Sequence, residues 1–193
     1  MPHLTPSLIA FLILLLAVGA LRIIEMRISR GNQLKMISRG VARPRDTSFG
    51  IVAFVHTAVL IGAAVEAVFL QRPFIPWLAA VAFAVFVLSN VIRFWVVKTL
   101  GQLWTVQVMD STNLGIITTG PFRYVRHPNY LGVILEMISL PLIHTAWITA
   151  IAGSAAYSIA LTRRVTTEER YLLANPAYRE AMGAKARFLP GIF

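Results

Sequence analysis

The sequence predicts an all-α integral membrane protein with about five transmembrane helices, and three observations support this. First, the 193 residues are 57% hydrophobic and only 13% charged, whereas about a quarter of a soluble domain is charged. Second, mean hydropathy is +0.70, and the apolar residues fall into separate stretches long enough for helices in a bilayer. Third, Lys and Arg concentrate between those stretches. That pattern explains the net charge of +10 through the positive-inside rule, and no nucleic-acid recognition motif accompanies it. With no cysteine in the chain, disulfides, thiolate catalysis and cysteine metal sites are excluded.

The first apolar segment covers about 4–24. Its start is neutral and contains proline, and no small-residue cleavage site follows, so it reads as a retained span and not a signal peptide. The second and third spans cover about 49–70 and 75–97, joined by the tight turn Gln71-Arg72-Pro73, with proline as the breaker. The fourth and fifth, about 130–143 and 146–161, are short for full crossings and predict a tilted or partly buried hairpin. Beyond Arg163 the spacing stays helical until Asn175-Pro176, and a short helix restarts near Tyr178–Met182. One domain of 1–193 is expected.

Basic residues set the orientation. Arg27, Arg30, Lys35, Arg39, Arg43 and Arg45 lie between the first two spans. Lys98, Arg123 and Arg126 follow the third, and Arg163, Arg164, Arg170, Arg179, Lys185 and Arg187 follow the fifth. The other side carries only Arg72. This predicts an outside N-terminus and a cytosolic C-terminus. Two polar clusters then share the cytosolic face: Gly120–Gly132 (GPFRYVRHPNYLG) and Arg163–Glu169 (RRVTTEE).

Each cluster suits a chemical task. Pro128 fits the first turn of the fourth span, where its missing N–H costs little. The unpaired amides of that turn favour an anion such as a carboxylate, and Arg123 and Arg126 add positive charge. Headgroup anchoring is the bland alternative. Arg164 and Glu168 stand four apart, either as a surface ion pair or as a guanidinium for a carboxylate beside an acceptor for a hydroxyl or ammonium. His56, Glu66, Arg93 and Glu136 fall inside predicted spans, where ionisable groups face a cavity or one another. Glu136 follows the His-Pro-Asn-Tyr turn by about two helical turns, so it either lines a substrate pocket or pairs with Arg93. His3, His56, His127 and His144 show no zinc-ligand spacing.

Together these residues resemble the isoprenylcysteine carboxyl methyltransferase (ICMT) family and its bacterial branch. The resemblance lies in Leu100-Gly101-Gln102-Leu103-Trp104, the Arg-His-Pro-x-Tyr core of Gly120–Gly132, Arg164 with Glu168-Glu169, and Tyr178 ahead of Arg187-Phe188-Leu189-Pro190. It covers about 100–190. It implies an S-adenosylmethionine-dependent membrane enzyme whose cofactor pocket is closed by the C-terminal helical segment and whose lipophilic substrate enters from the lipid. By motif position, the implied cofactor contacts are Gln107, Leu114, Gly115, Ile116, Ile117, Phe122, His127, Pro128, Asn129, Tyr130 and Glu168. Arg164 falls at a substrate-contacting position, and Phe122 stands where a tyrosine is common.

The implied acceptor is a prenylcysteine carboxylate or another lipophilic small molecule. Arg22, Glu25, Asn32, His56, Glu66, Asn129 and Glu136 also resemble bacterial relatives associated with alkylpyrone or alkylresorcinol O-methylation. Two further alternatives are phospholipid N-methyltransfer, disfavoured by the basic cytosolic loops, and a non-catalytic lipid-binding protein. A carboxylate needs no general base, whereas a phenol or enol does unless it is acidic. Glu136, Glu169 and His127 are the candidate bases, and Arg164 and Glu136 the candidate substrate contacts.

Overall fold

A computed structural model describes residues 5–42 and 48–189. His3, Leu4, Arg43, Arg45 and Pro190, which figure in the sequence reading, lie outside the described residues. Six helices follow in order: α1 (Pro6–Ile37), α2 (Ser48–Phe69), α3 (Pro76–Leu100), α4 (Pro128–Leu142), α5 (Trp147–Leu172) and α6 (Pro176–Met182). Three short 3-10 turns, Gly101–Leu103, Thr112–Leu114 and Gly120–Arg123, punctuate the long α3–α4 connection. Four of the six helices begin at a helix-start signal: Thr5 caps α1 through Leu8 N, Asn175 caps α6 through Ala177 N and Tyr178 N, and Pro occupies the first turn of α1, α3, α4 and α6.

Three helices, α1, α2 and α3, are long and apolar enough to cross a membrane. Their outward faces carry Ile13, Leu16, Phe54, Phe69, Trp77 and Phe94, all exposed; such an apolar exterior belongs in lipid. α4, with 15 residues, is about 22 Å long, well short of the roughly 30 Å hydrocarbon core. It is instead the central helix. It packs most extensively on α3 and α5, while α2 packs along α5. Gly132 permits the α3–α4 approach: a Cβ there would stand 2.8 Å from Arg93 Cγ and 3.1 Å from the Ser89 carbonyl oxygen.

Two spans run past their expected ends. α1 continues from 24 to Ile37, because residues 25–37 leave the apolar pattern without meeting a proline. α5 continues from 161 to Leu172, so the helical spacing read beyond Arg163 belongs to the same helix as the fifth span.

The bundle is pinned at the end opposite the polar clusters. Glu66, near the end of α2, accepts from Ile148 N at 3.1 Å, Thr149 N at 2.8 Å and Thr149 Oγ1 at 2.9 Å, capping α5. Arg72 donates to the same carboxylate at 2.9–3.1 Å. Thr145, held at φ 54, donates to the Pro73 carbonyl at 2.7 Å. With that end fixed, α1, α3 and α5 deliver their C-terminal halves, and α2 and α4 their N-terminal halves, to the other end.

Candidate active site

At that other end the connection after α3 folds back under the bundle. Asn32 of α1 donates to the Trp104 carbonyl at 2.8 Å, and Ser29 Oγ accepts from Val106 N at 2.8 Å. The Gly120–Arg123 turn needs glycine at its start. Gly120 has φ +58, and a Cβ would sit 2.5 Å from Thr99 Oγ1. The chain then reaches His127 and Pro128, where α4 begins.

The C-terminal segment is stitched along this approach. Arg126 N donates to the Ala186 carbonyl and His127 N to the Arg187 carbonyl, both at 2.9 Å, beside a parallel bridge between Val125 and Ala186. Lys185 Nζ donates to the Phe122 carbonyl at 2.7 Å. Glu169 of α5 joins the layers: Arg187 Nη2 lies 2.7 Å away, His127 Nε2 3.1 Å and Arg126 Nη2 3.3 Å. Burial raises the Glu169 carboxyl, but hydrogen bonds from His127 and Arg187 and the charges of His127 and Arg126 outweigh it and hold it at about 2.

These elements enclose a cavity of about 240 Å³. One buried water needs only about 10–15 Å³, so the space is of organic-ligand size. One part of its wall is polar and aromatic: Gln107, Gly115, Ile116, Ile117, Phe122, and His127 to Tyr130 from the connection and α4, with Glu168 and Tyr178 opposite. Burial, more than the Glu168 charge, pushes the Tyr178 hydroxyl up to about 12, so it stays protonated and able to donate. The remaining wall carries apolar side chains, Met26 of α1, Phe49, Val52 and Ala53 of α2, and Val96 and Leu100 of α3, and beside them the charged or ionisable Arg22, Glu25, His56 and Arg93.

Arg164 stands between the two parts. Only 5% exposed, it donates from Nε to the Tyr130 hydroxyl oxygen at 2.7 Å and from Nη2 to the Val106 carbonyl. Tyr130 in turn donates to Glu168. The two polar clusters thus form one hydrogen-bonded chain.

Of the expected residues, Gln107, Gly115, Ile116, Ile117, Phe122, His127, Pro128, Asn129, Tyr130, Arg164 and Glu168 line this cavity. Three do not. Leu114 packs against the cluster of Met36, Val41 and Met109. Glu169 sits behind His127 in the ion-paired clamp just described. Glu136 is 0% exposed, because it is enclosed by Arg22 Nη2, 3.0 Å from both carboxylate oxygens, by Arg93 Nη1 at 2.9 Å, and by His56 Nε2 at 3.7 Å. Neither carboxylate is among the residues that line the cavity, and the expected Arg93–Glu136 pair is present. Glu25 completes the network, bonded to Arg22 and to Arg93 Nη2 at 2.8 Å.

Tyr157 and Trp104 also line the cavity. Tyr157 escaped the sequence reading of the site. Its spacing to Leu161, Arg164 and Glu168 keeps one face of α5, and that periodicity was the available signal.

These elements define a helical membrane bundle with a ligand-sized cavity at one end. Residues 80–174 of this chain match the isoprenylcysteine carboxyl methyltransferase (ICMT) family. The chain is therefore classed as an S-adenosylmethionine-dependent membrane methyltransferase for a lipophilic substrate. The chain is 24% identical over 151 residues to the uncharacterized protein YpbQ of Bacillus subtilis, covering 78% of this chain and 89% of YpbQ. It is 28% identical over 151 residues to an uncharacterized protein of Haemophilus influenzae, covering 78% of this chain and 87% of that one. Its fold is similar to the solved structure of a eukaryotic intramembrane Ras methyltransferase, ICMT, with TM-score 0.65 and 21% identity over 93% of this chain and 67% of that one.

Proposed function

We propose that this protein transfers a methyl group from S-adenosylmethionine to an oxygen of a lipophilic acceptor, inside the cavity at its cytosolic end. The observation that carries the reading is the two-part wall. A polar, aromatic compartment meets one that carries apolar side chains, and Arg164 stands at the junction. In this reading the chain forms one domain, α4 and α5 complete the five-helix bundle, the N-terminus lies outside and the C-terminus is cytosolic, as the basic loops require.

The residues present suit the nucleoside. Asn129 Oδ1 is buried with no hydrogen-bond partner among the described residues, and such an acceptor calls for a donor from a ligand. Glu168 offers a carboxylate for hydroxyl or ammonium groups. Trp104, Phe122, Tyr130 and Tyr178 bring aromatic rings to the wall, and such faces favour a cation by up to about 2 kcal/mol when desolvated. Bound there, S-adenosylmethionine supplies an already activated methyl group. The chain's part is to hold the acceptor oxygen in line and to exclude water, a positioning effect of about 7–11 kcal/mol. Phe49, Val52, Ala53, Val96 and Leu100 would take the acceptor's apolar body, and the C-terminal segment over His127 would shield the polar compartment.

A labelled-methyl assay in liposomes tests the reading, with a prenylcysteine analogue, an alkylpyrone and a phosphatidylethanolamine offered side by side. Label on either oxygen acceptor is the expected result. Label on the amine alone would replace O- by N-methyl transfer, and no label with any acceptor, together with no S-adenosylmethionine binding, would leave a lipid-binding protein.

A further inference from the structure

The geometry points to His56 as the proton acceptor for an acceptor hydroxyl, with Glu136 as its positioning residue; the inference rests on the O-methyl transfer proposed above, with a hydroxyl-bearing acceptor. His56 lies on α2 one turn beyond Val52 and Ala53 and shares their wall of the cavity. Its Nε2 is buried, makes no hydrogen bond and faces Glu136 Oε1 at 3.7 Å. Its ring meets Tyr157 of α5 edge-on, 6.2 Å between centroids. A carboxylate behind Nε2 favours the tautomer that carries its proton there, which leaves the Nδ1 lone pair to take a proton.

The charged groups around this imidazole are arranged to tolerate a new positive charge. Arg22 and Glu25 come from α1, Arg93 from α3, Glu136 from α4, and Tyr157 is the titratable group of α5. The two arginines pair with the two carboxylates, so the network is neutral until His56 is protonated. The other candidate bases are placed for other tasks. Glu136 and Glu169 are off the cavity wall, and His127 stands in the polar compartment against Glu169.

The balance is simple. The acceptor O–H bond breaks and an N–H bond forms on His56 Nδ1. The oxygen keeps the electron pair, with which it bonds the methyl carbon. The S–CH3 pair leaves with sulfur, so the sulfonium charge is discharged and one positive charge appears on the imidazolium. His56 then returns its proton to water.

The experiment compares the wild type with His56→Gln and His56→Asn on two acceptors, a long-chain alkylphenol and the same molecule carrying an ortho nitro group. The nitrophenol ionises unaided near neutrality and the plain phenol does not. A base lost from the site costs roughly 100-fold or more on the plain phenol and little on the nitrophenol, and raising the pH restores the plain phenol. An equal loss on both acceptors, or no loss on either, overturns the inference and makes His56 a packing residue. A donor-free reading runs alongside. At a pH where free nitrophenol is protonated, wild-type protein in detergent should develop the visible phenolate band and the variants should not; a band of equal size in the variants also overturns it. If the wild type methylates neither phenol but does methylate the prenylcysteine analogue, the substrate class fails while O-methyl transfer stands. If the wild type methylates no acceptor at all, the methyltransferase reading itself has failed.

Discussion

Arg164 donates a hydrogen bond to Tyr130 at 2.7 Å. This contact joins the end of α5 to the start of α4, and Tyr130 passes it on to Glu168. One phenol therefore orients both a wall residue of the polar compartment and the arginine at its border. Tyr130→Phe keeps the ring and removes the link, leaving Glu168 and the Arg164 Nε without this partner. Such a loss costs about 1–3 kcal/mol for a buried group. The expected outcome is a lower melting temperature and weaker S-adenosylmethionine binding in calorimetric titration; unchanged values for both would remove Tyr130 from the site's architecture.

Arg164, His127 and Glu168 separate by function if the two-part wall is right. Arg164→Ala should reduce turnover more than cofactor affinity, because Arg164 stands toward the acceptor. His127→Ala and Glu168→Ala should weaken the cofactor instead. Titration of S-adenosylmethionine into each variant, paired with single-turnover methyl transfer, reads the difference. Unchanged affinity in both latter variants would refute the assigned polar compartment.

The Glu136 network makes a prediction about stability alone. Glu136 balances Arg22 and Arg93 at 2.9–3.0 Å with no exposure. Breaking a buried pair by removing one partner costs about 3–5 kcal/mol, because the remaining charge is left uncompensated. Glu136→Ala should therefore lower the melting temperature in detergent far more than Glu66→Gln, whose carboxylate is partnered by Arg72 and two α5 amides and can still accept from them as an amide oxygen. Equal shifts in the two variants would mean the arginines find other partners.

Acid should loosen the C-terminal clamp. The Glu169 carboxyl is held at about 2 in the fold, against 4.5 for an unperturbed glutamate. A depressed carboxyl contributes stability that is fully present above pH 4.5 and is lost as the pH falls toward 2. The wild type should lose melting temperature across that window. Glu169→Gln should start lower and show a flatter profile there. Parallel profiles for the two proteins would assign the acid sensitivity to another carboxylate.

The membrane class, three of the spans and the part of the cavity wall around His127 were legible because their signals are local. Apolar runs mark α1, α2 and α3, and one contiguous motif places His127, Pro128, Asn129 and Tyr130 side by side. What was not legible depends on long-range pairing. Glu136 reads from sequence as either a pocket carboxylate or a partner of Arg93, and its further meeting with Arg22, more than a hundred residues earlier, is a contact no local pattern shows. Glu169 likewise reads as Glu168's equal. One step along α5 turns a side chain by about 100°, so Glu168 faces the cavity while Glu169 faces the clamp. The extent of α1 was underestimated for a different reason: hydropathy marks where a helix leaves lipid, not where the helix ends.

The α3–α4 contact gives the last prediction. Gly132 lies one helical turn before Glu136 on α4, against the Arg93 stem and the Ser89 carbonyl of α3. A methyl group there meets Arg93 Cγ at 2.8 Å and backbone oxygen at 3.1 Å. The oxygen belongs to a helix and cannot step aside, so relief must come from Arg93 or from separation of the helices. Overpacking of this kind costs about 1–3 kcal/mol. Moving Arg93 also strains its bonds to Glu136 and Glu25, so Gly132→Ala should destabilise the fold and disturb acceptor turnover while leaving S-adenosylmethionine affinity close to wild type. The companion variant Gly31→Ala, where a Cβ meets nothing within 4 Å, should be neutral or slightly stabilising, since alanine is favoured over glycine in a helix by about 1 kcal/mol. Thermal melting of the pair in detergent checks the contrast, and equal melting temperatures would mean that α3 and α4 are not packed this closely.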